Sequence, residues 1–270
     1  VKRLAPAVLL GLLAGFQGGL FGVGGGIVMV PGMVLFLAVP QHRAHATSLA
    51  AMIFSTTAAV IPLAMDNRID WDTAGFLVTG SMIGAYLGAR LFSRIPEIWL
   101  AGGFLVLALA SAVRMLMERE TPGAAAAGTA TIDTWWLGII GFVLVGFFAG
   151  GLGAVMGVGG GIVNVPALVT LYSFEQHLAQ GTSLAVIVPT AIVAAVTHTR
   201  RGHVDWRLAL TLACGGLVGG WLGARTALVL NGALLRVLFV CFLLLMVTRM
   251  AVRTWKHTRQ ARQKAQEASA

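Results

Sequence analysis

Polar and charged residues are scarce in this chain and gather in short clusters between long apolar stretches. Four stretches fill the first half, at about 4–39, 44–65, 73–92 and 98–117. Four more follow at about 135–174, 179–199, 207–230 and 233–252. A helix needs roughly 20 apolar residues to cross a hydrocarbon core about 30 Å thick. The pattern therefore predicts an all-α polytopic membrane protein. The short alternating strands of a transmembrane barrel are missing. Residues 118–134, with Pro122 and an Ala/Gly run, read as a linker. The expected organisation is a first repeat at 1–117, the linker at 118–134, a second repeat at 135–252 and a basic tail at 253–270.

The halves are copies of one another. GVGGGIVMVP at 22–31 and GVGGGIVNVP at 157–166 differ only at Met29 and Asn164, and they stand 135 residues apart. The same offset aligns Gln41-His42 with Gln176-His177 and Thr47-Ser48-Leu49-Ala50 with Thr182-Ser183-Leu184-Ala185. It also aligns Asp70-Trp71 with Asp205-Trp206 and Gly88-Ala89-Arg90 with Gly223-Ala224-Arg225. Each copy carries a glycine cluster inside an apolar stretch, where glycine weakens a plain helix. As one helix, residues 4–39 would measure roughly 54 Å against a core of about 30 Å, so the cluster must bend the chain. A hairpin that turns back makes the halves inverted; a broken helix that continues across makes them parallel. Residues 66–70 are acidic, whereas their counterparts 201–205 lie between Arg200 and Arg207. Halves that face opposite sides diverge in this way. The favoured fold is two inverted repeats, each with a glycine-broken first element, re-entrant or hairpin, plus three transmembrane helices. Both termini are expected in the cytoplasm, with the protein in the cell (inner) membrane. Lys2-Arg3 before an apolar run imitates a signal peptide. The counterpart of that run, 138–153, lies mid-chain, so the N-terminal stretch is expected to belong to the mature fold.

Composition narrows the function. Apolar residues make up 57% and charged residues 11% of the chain, and mean hydropathy is +0.85. Soluble domains carry about 25% charged residues. The net charge of +9 does not indicate nucleic acid, because Arg249, Arg253, Lys256, Arg259, Arg262 and Lys264 follow the last apolar stretch as a topogenic tail. The partners expected are membrane lipid and a small anionic substrate. Cys214 and Cys241 have no Cys or His at ligand spacing, so no metal or other cofactor is expected. All ten Asp and Glu residues lie at segment ends, in loops or in the tail. Cation carriers place carboxylates within the membrane, and no enzyme motif such as HExxH, GxSxG or a P-loop is present. An enzyme is not expected.

What remains suits an anion. A glycine cluster opening a helix leaves free backbone N–H groups at a positive dipole end. Gly24, Gly25 and Gly26, with Gly159, Gly160 and Gly161, are the candidate donors, with the two tips meeting near the midplane. Thr47, Ser48, Thr182 and Ser183 either donate to a ligand or serve the scaffold, by capping their helix or bonding between helices. Asn164, Gln17 and Gln180 are further candidate donors. His45, flanked by His42 and with His177 in the second copy, is the candidate for proton coupling. Arg90 and Arg225 are candidates for an anion vestibule, or else interfacial anchors like Trp71 and Trp206. Spacings such as Gly80, Gly84 and Gly88 are read as helix packing.

The duplicated G-x-G-G-G-x-x-x-x-P motifs, each followed by A-x-x-T-S, resemble the sulfite exporter TauE/SafE family of membrane permeases. That resemblance spans nearly the whole chain and implies transport of small sulfur-containing anions such as sulfite, sulfonates or sulfoacetate. The motif positions are Gly22, Gly24 to Gly26, Pro31, Thr47 and Ser48, with Gly157, Gly159 to Gly161, Pro166, Thr182 and Ser183. The expected activity is secondary transport by alternating access around the two glycine breaks; an anion channel of the same fold is the alternative.

Overall fold

The computed structural model describes residues 4–91, 135–245 and Thr248. The helices among them are α1 (Leu4–Phe21), α2 (Gly26–Phe36), α3 (Gln41–Met65), α4 (Trp71–Leu91), α5 (Trp135–Met156), α6 (Gly161–Tyr172), α7 (Gln176–Thr199), α8 (Trp206–Val229) and α9 (Gly232–Leu245). Among the described residues five helices are long and apolar enough to cross a membrane. The expected segment 98–117, the linker 118–134 and the tail 253–270 lie outside the described residues.

Helix starts fall slightly before the apolar runs, because polar residues cap them. The Asp70 carboxylate accepts the Thr73 N–H at 3.0 Å, and the Asp205 carboxylate accepts the Leu208 N–H at 3.1 Å. Each satisfies a donor left open in a first helical turn. The duplicated Asp-Trp pairs are thus start signals of α4 and α8, with Trp71 and Trp206 exposed at those ends.

Each glycine-broken stretch folds as a hairpin. α2 runs back along α1: Gly25 sits against Ala14 and Gly15, and Gly32 against the Leu10 side chain. α6 runs back along α5: Gly160 sits against Ala149, and the Tyr172 ring stacks on Phe142 at 4.0 Å.

The two halves interlock. α1 packs along α8, and α4 packs along α5, so the first helix of each half lies on the fourth helix of the other. Glycines line both seams. A Cβ at Gly80 would overlap the Val143 carbonyl, and one at Gly84 the Phe147 carbonyl. At the equivalent seam, Gly215 faces the Val8 carbonyl and Gly219 the Leu12 carbonyl. Lipid tails are as apolar as leucine, so helix association in a bilayer draws on close van der Waals contact, which small residues permit. The spaced glycines are therefore packing devices. Large apolar side chains such as Leu9, Leu13, Leu35 and Phe36 point outward instead.

Gly84→Val should lower stability by about 1–3 kcal/mol or prevent folding, the usual cost of overpacking a close contact. Gly75→Ala, on an exposed face of the same helix with nothing within 4 Å of an added Cβ, should leave stability unchanged or slightly raised. Thermal unfolding of the purified variants in detergent checks both.

Candidate functional site

The chain leaves α1 through left-handed backbone at Gly22, Gly24 and Gly25, with φ of 74°, 86° and 84°. It leaves α5 through the same sequence of conformations, at Gly157, Gly159 and Gly160, with φ of 72°, 78° and 85°. Side chains rarely tolerate this region and glycine does, which is the local reason for the duplicated cluster. The amides of Gly22, Val23 and Gly24 fold back on the single carbonyl of Gly18. Val158 and Gly159 do likewise on Gly153. α2 and α6 then begin, capped by Gly25 and Gly160, which offer no side-chain bond.

The two breaks meet. A Cβ on Gly26 would overlap the Gly157 carbonyl and come within 2.7 Å of Val158 Cα. A Cβ on Gly161 would lie 2.6 Å from the Gly22 carbonyl oxygen and 2.7 Å from Val23 Cα. Each break is therefore seated against the other, and α2 and α6 both begin at this contact. Their positive ends come together in a buried, apolar setting. The amides of Gly25, Gly26 and Ile27, and those of Gly160, Gly161 and Ile162, make none of the backbone bonds at the breaks. Free donors beside two converging dipole ends are chemically suited to an oxyanion.

Side chains on α3 and α7 hold this arrangement. Ser48 Oγ donates to the Gly157 carbonyl at 2.8 Å, and Ser183 Oγ to the Gly22 carbonyl at 2.9 Å. Thr47 Oγ1 accepts the Asp205 N–H at 3.1 Å, and Thr182 Oγ1 the Asp70 N–H at 3.0 Å. All four bonds run from one half to the other. Of the two uses expected of these hydroxyls, the structure has them bonding between helices: the serines fix the carbonyl faces of the breaks, and the threonines fix the loops.

The amide side chains behave differently. Gln180 is buried with its Cα 2.8 Å from a Cβ built on Gly22. Neither of its side-chain polar atoms has a partner; the same is true of Gln17, and Asn164 Oδ1 is also unpartnered. Asn164 lies one turn into α6, where its N–H bonds the Gly160 carbonyl at 3.1 Å. Buried polar groups are nearly always bonded, so these amides keep hydrogen-bonding capacity that no protein group uses.

His45 is committed to the scaffold in this state. Its Nδ1 lies 2.5 Å from the Met156 carbonyl, which only accepts, so that nitrogen carries the proton. Its Nε2 lies 3.3 Å from Gln41 Nε2 and accepts from it. Arg90 and Arg225 are not brought together. Arg90 lies over the Tyr86 ring at 4.5 Å and Arg225 over the Trp221 ring at 5.4 Å. Both are exposed. Ala89, next to Arg90, receives Arg201 just beyond the end of α7, whereas Ala227, near Arg225, receives His177 at its start. The length of α7 separates the two arginines, so they cannot share one vestibule.

Sequence reasoning did not find Met52 and Ile187. These residues are 135 positions apart and 0% exposed. The Met52 Cε and the Ile187 Cγ2 both crowd the Cβ positions of Gly24 and of Gly159. An apolar pair thus closes the centre between the breaks. The equal offset was the available signal, but two unlike apolar residues inside apolar helices gave no reason to use it.

Comparison with known proteins agrees with the repeat. The family model described as Sulfite exporter TauE/SafE matches residues 7–155 and again 142–270. The chain is 32% identical over 239 residues to the probable membrane transporter protein YunE of Bacillus subtilis, covering 80% of this chain and 86% of that protein. It is 29% identical over 232 residues to a probable membrane transporter protein of Xylella fastidiosa, covering 84% of this chain and 86% of that protein. It is also 32% identical over 113 residues to the sulfite exporter TauE/SafE family protein 3 of Arabidopsis thaliana, covering 42% of this chain and 24% of that one. No solved structure matches the chain.

Replacing an unpartnered buried amide with an apolar group of similar shape should not cost the roughly 1–3 kcal/mol that breaking a buried hydrogen bond costs. Gln180→Met and Asn164→Met, the latter copying Met29 of the first repeat, should therefore keep or raise the ligand-free melting temperature. Losses of that size in thermal unfolding would instead make these amides structural.

Proposed function

The chain belongs to the sulfite exporter TauE/SafE family of membrane transporters, and from that premise we propose that it carries a small sulfur-containing oxyanion by alternating access. The observation that carries this reading is the mutual seating of the two breaks, with three unaccepted amides at each helix start. The anion binds there. Gly25, Gly26 and Ile27, with Gly160, Gly161 and Ile162, supply backbone donors, and Gln180, Gln17 and Asn164 supply side-chain donors. The Gly24 and Gly159 amides, expected among the donors, are instead bonded to the Gly18 and Gly153 carbonyls. Ser48 and Ser183 orient the breaks. No buried cation is used, which avoids the desolvation cost of a charge in the membrane. A tetrahedral or pyramidal oxyanion fits donors that arrive from two sides.

Inverted repeats support alternating access. The start of α3 meets the end of α7, through the His42–His203 ring contact, while Arg68 beyond the end of α3 meets Glu175 at the start of α7. These equivalent helices therefore run in opposite directions. Arg43, Arg200, Arg201 and Arg207 gather at the first of these ends, and Asp66, Asp70, Asp72 and Glu175 at the other. The positive-inside tendency puts the arginine end, where α1 also begins, in the cytoplasm. The Met52–Ile187 closure between the breaks favours a carrier over an open channel.

Thermal-shift measurements on purified protein with sulfite, sulfate, thiosulfate, taurine and sulfoacetate test the ligand. At 100 times its Kd, a bound anion adds about 2.7 kcal/mol of apparent stability, and Gln180→Met should reduce that gain. Absence of a shift with every anion would remove the oxyanion reading. In proteoliposomes, saturable flux with counterflow is expected; unitary currents would establish the channel instead.

A further inference from the structure

The two ends of the molecule are built on equivalent positions and closed by different chemistry. At one end Arg68 Nη1 lies 3.0 Å from Glu175 Oε2, and His177 Nδ1 lies 3.3 Å from Glu175 Oε1. His177 Nε2 is held 3.1 Å from the carbonyls of Ala227 and Leu230. A carboxylate thus sits between a guanidinium and an imidazole. The positions offset by 135 residues are His203, Pro40 and His42. There the cation is replaced by an imidazole and the carboxylate by a proline. The His42 and His203 rings meet edge to face with centroids 5.7 Å apart, and the His198 ring lies 6.3 Å from that of His203.

His198 has room for a proton. Its Nε2 lies 3.3 Å from the Ala154 carbonyl, which only accepts, so the N–H is on Nε2. The Nδ1 lone pair is buried and has no partner. Groups on other elements also face this cluster. From α3 comes His45, bonded to the Met156 carbonyl. From the loop after α7 comes Arg201, whose guanidinium donates to the Ala89 carbonyl at 2.6 Å. The carboxylate on this loop, Asp205, accepts the Leu208 N–H at the start of α8 and is in no ion pair among the described residues. The ion pairs among the described residues all involve Glu175, at the opposite end.

We propose that His42, His198 and His203 form a proton-binding site that unlatches this end of the transporter. Neutral, the rings pack and hold the 200–205 loop against the start of α3. Proton uptake places cations beside Arg201, with no carboxylate paired to them among the described residues, and the loop separates from α3. At the opposite end a protonated His177 is held by Glu175, so acid leaves that latch closed. The proton ends on an imidazole nitrogen, and no bond other than N–H is made. The inference rests on reading the two ends as the alternating mouths of the carrier, and it names the proton as the ion that biases them.

Distances between spin labels test it, on full-length protein in lipid nanodiscs with Cys214→Ser and Cys241→Ser. One label pair is Arg43→Cys with Trp206→Cys; the equivalent pair at the opposite end is Leu178→Cys with Trp71→Cys. Between about pH 8 and about pH 5.5, the range that imidazole protonation spans, the first pair should gain a longer-distance population. The second pair should not change. His42→Gln with His203→Gln should abolish the response. Pro40→Glu should suppress it, because Pro40 (φ −56°, ψ 139°) has the backbone of Glu175 (φ −59°, ψ 145°) and would place a carboxylate at the equivalent point. Opening of both ends, of neither, or of the first end unaltered in the glutamine or glutamate variants would overturn the proposal. No anion is present in these measurements, so their failure leaves the anion site standing, and a failed anion screen leaves the latch standing.

Discussion

An unaccepted amide deep in a membrane protein costs several kcal/mol unless something compensates for it. A helix can therefore be interrupted there only where other groups close around the gap. In this protein the compensation is reciprocal. The break before α2 lies against the break before α6, through Gly26 on Gly157–Val158 and Gly161 on Gly22–Val23. Their exposed carbonyls at Gly157 and Gly22 are taken by Ser48 and Ser183. The amides of Gly25 to Ile27 and of Gly160 to Ile162 are the groups at this contact that no backbone carbonyl accepts, and they are the donors on which the proposed anion site rests.

The surrounding packing follows from the need to keep that contact in register. α1 and α5 reach the centre only because each lies along a helix of the other half, with carbonyl against glycine for several turns. Such contacts tolerate little sliding, since small residues permit one close register and larger ones would prop the helices apart. Crossed hydrogen bonds from Thr47 to Asp205 and from Thr182 to Asp70 tie the loops across the same boundary. The halves are thus coupled at the seams, at the centre and at both ends.

Symmetry at the backbone carries asymmetry in the side chains. Gln180 stands where the first repeat has His45, and Asn164 where it has Met29. One break is therefore backed by an unpartnered amide and the other by an imidazole bonded to the Met156 carbonyl. The ends differ in the same way, with an ion pair at one and a cluster of imidazoles at the other. The departures from the repeat thus fall at the breaks and at the two ends.

The repeat, the positions of the helices and the glycine breaks were legible in the residues, because hydropathy and helix-breaking are local properties and the 135-residue offset is exact over ten positions. The Asp-Trp pairs could be aligned but were not recognised as caps. Whether the breaks turned back was open in the sequence, since glycine permits either course; the contacts of Gly25 with Ala14 and of Gly160 with Ala149 decided it. The sequence also left open whether the Thr-Ser hydroxyls faced a ligand or a neighbouring helix. That choice depends on which half supplies the adjacent carbonyl, as Gly157 does for Ser48. Arg90 and Arg225 share a motif, yet the length of α7 lies between them. Met52 and Ile187 looked like ordinary filling. Chain order says which residues resemble one another, but only the fold of one half into the other determines which of them touch.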